Sequence, residues 1–191
     1  EKGLAIAGLH FVGNAYYGPS SEEKSENKFH IAPYELIPFI LSQCDSIAQA
    51  KQLLADVRFT AIPFNERLGL SPLHFMLAEK GSSIVVEPVK EGVKVYENPV
   101  GVLTNNPPFP YHLTNLNNYM NITPKVPQNR FSEDLPLEVY SRGMGAIGLP
   151  GDVSSMSRFV RAAFVRANSV SGDSEAESVS QFFHILGSVE Q

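Results

Sequence analysis

A single cysteine, Cys44, is all the thiol chemistry in these 191 residues, which excludes an internal disulfide framework and fits a reducing compartment. No apolar run approaches the roughly 18 residues that suggest a membrane span. Lys and Arg do not gather into a cluster that could neutralise phosphates, because the 15 basic and 20 acidic residues are spread along the chain and leave a net charge of −5. Nucleic acid and membrane are therefore not expected as partners, and the cytoplasm is the expected location. An initiator Met is missing, and Glu1-Lys2-Gly3-Leu4 does not read as a signal peptide. With strand-like sequence from Leu4 and an apolar helical stretch running to the last residues, both termini read as cuts in a longer chain. What is present, 43% hydrophobic residues over 191, is enough for one sizeable core, and the length favours one domain over 1–191.

Residues 4–11 (LAIAGLHF) read as a strand covered on both faces, and the polar stretch from Gly13 to Lys28 as a loop. From Pro33 to Cys44, Leu36, Ile40 and Cys44 recur at helical spacing, with Pro33 suited to a first helical position and Pro38 expected to disturb the second turn. A second helix is predicted over Ser46–Val57. Four strand-like segments follow, Leu73–Ala78, Ser83–Val89, Val93–Glu97 and Val100–Thr104, with short glycine-containing separators that predict an antiparallel meander. Helices are then predicted over Tyr111–Met120, Ser155–Asn168 and Ser174–Val189, with a long irregular segment from Asn121 to Pro150. Helices, then strands, then helices predict an α+β layered fold.

Among chemically capable residues, Cys44 falls on the apolar stripe of its predicted helix, where a thiol packs and has a raised pKa. The five histidines, His10, His30, His74, His112 and His184, show no metal-ligand spacing, and His74 and His184 sit in apolar stretches that suggest buried, hydrogen-bonded rings. No metal is expected. Thr104-Asn105-Asn106-Pro107-Pro108 ends an apolar strand, where a side-chain amide can donate to a developing oxyanion; ordinary turn chemistry accounts for the same residues. Gly148–Arg158 leads from a glycine-rich turn into a capped helix with an arginine in its first turn. A cation there opposes the helix dipole at about 0.3–1 kcal/mol when exposed, which points to a partner elsewhere, although Arg is also a good helix former.

Longer strings carry more. GLAIAGLHF, SIVVEPVKEGVKVYENPVGVLTNNPPF, LTNLNNY, YSRGMGAIGLPGDVSSMSRFVRAAF and SVSQFFHILGSVEQ resemble the choloylglycine hydrolase family of bile salt hydrolases and penicillin V acylases over nearly the whole chain. The resemblance implies an αββα sandwich of the N-terminal-nucleophile hydrolase type, a cytoplasmic homotetramer, no cofactor, and hydrolysis of glycine- or taurine-conjugated bile acids by an N-terminal cysteine that this chain does not contain. It assigns Asn105 to the oxyanion hole, Arg158 to the side of the nucleophile, and the backbone N–H at His10 to the other oxyanion donor. His10 stands where bile salt hydrolases usually have Asn and penicillin acylases Tyr. Phe64 and Leu68, in a loop from Ala61 to Leu70, match apolar substrate-wall positions, with packing of the loop onto the core as the other reading. Asn115–Gly143 resembles the family's assembly loop. The alternatives are a penicillin V acylase, or a structural fragment without activity of its own.

Overall fold

A computed structural model describes residues 3–18 and 29–190, so residues 19–28 of the expected Gly13–Lys28 loop lie outside the described residues. The chain divides into two compact units, Glu1–Tyr111 and His112–Gln191.

The first unit carries strands β1 (Ala5–His10), β2 (Phe29–Ile31), β3 (Val57–Phe59), β4 (Leu73–Glu79), β5 (Ser82–Val89) and β6 (Gly92–Glu97), with helices α1 (Leu36–Leu41) and α2 (Ile47–Leu54) between β2 and β3. Four of the strands form an antiparallel sheet in the order β1-β4-β5-β6, while β2 and β3 pair in parallel. The predicted meander is borne out for β4, β5 and β6. Glu79 pairs with Ser82 and Val89 with Gly92, so each hairpin turns through two residues. Gly81, the second turn residue of the first hairpin, has a φ of +86°, which glycine adopts without a Cβ clash.

Register decides the two faces. Phe75 lies opposite Val86 and Leu77 opposite Ile84, and all four join Leu36 and Ile40 of α1, Ala50 and Leu54 of α2, and Val57 and Phe59 of β3 in one buried cluster. Their alternate neighbours His74, Val85 and Glu87 occupy the other face and are also fully buried.

Three expectations for this unit need correction. Residues 4–11 are not covered on both faces: β1 pairs with β4 alone at the end of the described sheet, and Ala5, Ala7, Gly8 and His10 are exposed. Val100–Thr104 is not a strand. Its polar backbone groups are taken by side chains: Asn98 Nδ2 donates to Val102 O (3.1 Å), Asn98 Oδ1 accepts from Gly101 N–H (2.8 Å), and Thr104 O faces His74 Nε2 at 2.7 Å. A β-ladder needs those same groups.

The third correction concerns the helix predicted from Pro33 to Cys44, which begins as a 3-10 turn over Pro33–Glu35 and ends at Leu41. Pro38 sits in the first turn of α1, where the N–H has no intrahelical partner to lose. Ser42 Oγ and Gln43 Nε2 both donate to Phe39 O, at 3.0 and 2.9 Å, and close the helix there. Cys44 therefore lies past α1, half-buried against the apolar cluster and not on a helix face. Burial, and then the charge of Asp45, push its thiol pKa up.

Helix α3 (Phe109–Leu116) and a 3-10 turn over Asn117–Tyr119 fill the stretch predicted as Tyr111–Met120. In the second unit α4 (Ser155–Asn168) has its predicted bounds, and α5 (Glu175–Gly187) falls within the predicted Ser174–Val189. Ser154 and Ser174 cap them, each hydroxyl accepting from the N–H three residues on (Ser157 and Glu177). The long segment before α4 is irregular apart from a 3-10 turn over Met144–Ala146, where buried Gly145 leaves no room for a Cβ against the carbonyls of Thr123 and Lys125. Among the described residues, no helix is long and apolar enough to cross a membrane.

Candidate active site

The end of β1 is where two of the expected site residues meet. Phe11 N–H donates to Pro72 O (2.8 Å), toward the β4 side. Because backbone groups alternate direction along a strand, the N–H and C=O of His10 and Val12 face the opposite, open edge. Asn105 and Asn106 come to that edge. Asn105 Nδ2 donates to His10 O at 2.9 Å, and Asn106 Nδ2 donates to Val12 O. Residues 95 positions apart in sequence are thus joined by a side-chain hydrogen bond. The Asn105 carboxamide and the backbone of His10 thus lie together at this edge.

Beneath this edge lies a buried polar pair. His74 and Glu87 are both fully inaccessible, with Nδ1 3.3 Å from Oε1. Since a carbonyl only accepts, His74 Nε2 must donate to Thr104 O at 2.7 Å. Nδ1 is thereby left facing the Glu87 carboxyl. Glu87 Oε1 also accepts from Phe109 N–H at 2.9 Å. The expectation of a buried, hydrogen-bonded ring holds for His74 but not for His184, which is exposed on α5.

Phe64 and Leu68 are exposed, so neither serves to pack the loop onto the core; Phe64 meets Tyr34 edge-on with ring centroids 5.2 Å apart. The loop folds on itself through Asn65, whose Oδ1 accepts from the N–H groups of Arg67 and Leu68 at 3.0 and 2.8 Å. It then runs into β4 at Leu73, the residue opposite His10. Tyr17 fixes that junction: its hydroxyl donates to Ser71 O at 2.8 Å and accepts from Leu73 N–H at 2.7 Å, and burial pushes its pKa up to about 12.

Arg158 belongs to the second unit. It is half-buried in the first turn of α4, with Nε donating to Val153 O at 3.0 Å. Just ahead of that helix, Asp152 Oδ2 accepts from Ser157 Oγ at 2.6 Å and Oδ1 from Ser154 N–H at 2.9 Å. Hydrogen bonds from the Ser154 side chain, then from Ser157 and the Ser154 backbone, lower its pKa to about 2. Sequence reasoning overlooked Arg161, which donates from Nη1 to Pro150 O (2.9 Å) and Asp152 O (2.6 Å) and from Nε to Ser188 O (3.0 Å). It also gave Glu87 no role, although a lone carboxylate inside the apolar run SIVVEPV signals a buried partner. Among the described residues, no three His, Cys, Asp or Glu side chains gather as a metal site.

The sequence model of the choloylglycine hydrolase family of linear amide C–N hydrolases matches residues 1–191. The chain belongs to the choloylglycine hydrolase family. A bile salt hydrolase/transferase of Lactiplantibacillus plantarum is 57% identical over 191 residues, covering 100% of this chain and 58% of that protein. Another, from Clostridium perfringens, is 38% identical, with 99% of this chain and 57% of that protein covered. The chain therefore spans less than three-fifths of these relatives' length. A crystal structure of a variant conjugated bile acid hydrolase from Clostridium perfringens superimposes with a TM-score of 0.85 at 37% identity, over 99% of this chain and 57% of that one. Penicillin V acylase from Agrobacterium tumefaciens shares the fold, with a TM-score of 0.72 at 19% identity over 98% of this chain and 49% of that one. The α+β, N-terminal-nucleophile type of fold expected from the resemblance is the fold of these neighbours.

Proposed function

We propose that residues 1–191 are the central part of one hydrolase domain that cleaves the amide bond of glycine- or taurine-conjugated bile acids. The observation that supports the reading is the Asn105–His10 hydrogen bond, which joins the two residues that the family resemblance assigns to the oxyanion hole. In this reading a cysteine at the start of the mature enzyme, outside this chain, supplies the thiolate. Its sulfur bonds to the amide carbonyl carbon and the carbonyl π electrons move to oxygen. That oxyanion accepts hydrogen bonds from the Asn105 carboxamide and the His10 N–H. The electrons return as the C–N bond breaks, and the amine leaves with a proton. Water then attacks the thioester and releases the bile acid. Arg158 lowers the thiol pKa by favouring the thiolate. Phe64 and Leu68, exposed and apolar, wall the steroid. No cofactor takes part, and the working form is a cytoplasmic homotetramer to which 115–143 contributes.

Residues 1–191 alone are expected to be inactive, since their one thiol, Cys44, is half-buried with its pKa pushed up. Penicillin V acylase is the second reading, favoured by the shared fold, but its identity of 19% against 57% for the Lactiplantibacillus relative ranks it lower. Turnover of taurocholate, glycocholate and penicillin V by the intact enzyme decides between them, with a mass well above 21.0 kDa as the mark of the intact subunit. Asn105→Ala is expected to lower kcat by roughly 10²–10³. If Asn106→Ala does so instead, the assignment of the oxyanion donor is wrong.

A further inference from the structure

The mechanism proposed above gives no part to the buried His74–Glu87 pair, yet that pair touches both segments that carry the oxyanion donors. On one side His74 Nε2 donates to the carbonyl of Thr104, the residue before Asn105, at 2.7 Å. On the other, the imidazole stacks on Phe11, the residue after His10, with ring centroids 4.4 Å apart and planes 8° from parallel. Through the strand ladder, His74 also lies opposite Leu9. A single ring therefore contacts both neighbours of the His10–Asn105 hydrogen bond. The ring itself is held from behind. Glu87 Oε1 faces Nδ1 and is pinned by Phe109 N–H, so the carboxyl holds the imidazole's tilt. Glu87 Oε2 is buried with no hydrogen-bond partner. A neutral apolar pair of similar volume avoids that cost, so stability alone gives little reason for an ionisable pair at this place.

We infer that His74, braced by Glu87, is a positioning residue that fixes the Asn105 carboxamide and the His10 N–H in one geometry for the developing oxyanion. The inference rests on the oxyanion reading of Asn105. The imidazole does not reach substrate; it acts by holding the Thr104 carbonyl and the Phe11 ring, and with them the backbone on either side of the two donors. A displacement of about 1 Å at such donors is enough to lower a rate by as much as 10²-fold.

The experiment is a double-mutant cycle in the intact hydrolase. His74→Leu removes the Nε2 donor, His74→Gln restores a donor near the same place, and each is made in the parent and in Asn105→Ala. His74→Leu is expected to lower kcat by about 10- to 100-fold with KM changed less than about twofold, and His74→Gln to recover most of that loss. In the Asn105→Ala background, His74→Leu is expected to lower kcat by a clearly smaller factor than in the parent, because one of the two donors it positions is gone and only the His10 N–H remains. A folded His74→Leu enzyme with parental kcat, or one whose loss is the same in both backgrounds, overturns the inference while a large Asn105→Ala effect leaves the oxyanion reading standing. Parental kcat in Asn105→Ala overturns both. Should His74→Leu fail to fold, the isosteric Glu87→Gln takes its place in the cycle: a kcat loss larger with Asn105 present than in Asn105→Ala sustains the inference, and an additive loss or none overturns it.

Discussion

Between Glu1 and Tyr111 the sheet and its two covering helices put large apolar side chains such as Phe75, Leu77, Ile84, Leu36 and Ile40 out of water, whereas between His112 and Gln191 the buried apolar residues are Phe159, Val160, Ala162 and Ala163. Helix α5 buries none of its residues and exposes Val179, Phe182, Phe183 and Leu186. The first region is held by cross-strand packing between distant residues. The second depends on caps and on arginine–carbonyl bonds, and therefore on features visible within short stretches of sequence. The Asn105–His10 contact, to which the proposed mechanism assigns the oxyanion, stands at the end of a strand of that sheet.

Substitutions can break or sharpen this contrast. Leu77→Ala, in the fully buried centre of β4, is expected to cost about 2–5 kcal/mol by urea denaturation, from lost burial and an unfilled cavity. A cost under 1 kcal/mol would mean that the sheet core is not what holds the first region. Arg161→Ala removes three bonds to carbonyls at Pro150, Asp152 and Ser188, and should cost about 1.5–3 kcal/mol. An equal loss in Arg161→Lys would show that the fork of donors matters more than the charge.

On α5 the contrast becomes internal. Ser174→Ala removes the hydroxyl half of a capping box with Glu177 and should cost about 1 kcal/mol, while Phe182→Ala on the exposed face should fall within about 0.5 kcal/mol of the parent. If Phe182→Ala is the costlier of the two, something covers that face in solution. The smallest effect belongs to Asp152. Its carboxyl pKa is lowered from 3.8 to about 2, so its contribution is fully present above pH 4 and lost as pH falls toward 2. Asp152→Asn should lower Tm slightly at pH 6 and leave Tm at pH 2 unchanged. A variant with the parent's full pH dependence would remove the hydrogen-bond cluster ahead of α4 as the cause.

The elements that could be read from the sequence are those whose cause is local. Gly81 in the first two-residue turn, Gly92 directly after the second, and alternating apolar residues specify the β4–β6 meander, because a tight turn restricts which residues it accepts and period two sets the faces. Ser154 and the periodic run after it set α4 over Ser155–Asn168 for the same kind of reason. The family resemblance supplied Asn105, His10 and Arg158 as site residues, and composition or spacing alone could not have done so.

Only the tertiary structure decided where polar groups find partners across long separations. Val100–Thr104 is apolar enough for a strand, yet Asn98 and His74 claim its carbonyls, and a backbone group already bonded cannot join a ladder. Cys44 has the spacing of a helical stripe, but Ser42 and Gln43 end the helix ahead of it. His74 and Glu87, 13 residues apart, become a pair because the hairpin register puts both on one face, and the segment after β6 closes over them through Thr104 and Phe109. Periodicity records which side of an element is apolar; it carries no information about which distant donor and acceptor will meet there, and the meeting of Asn105 with His10 is of that second kind.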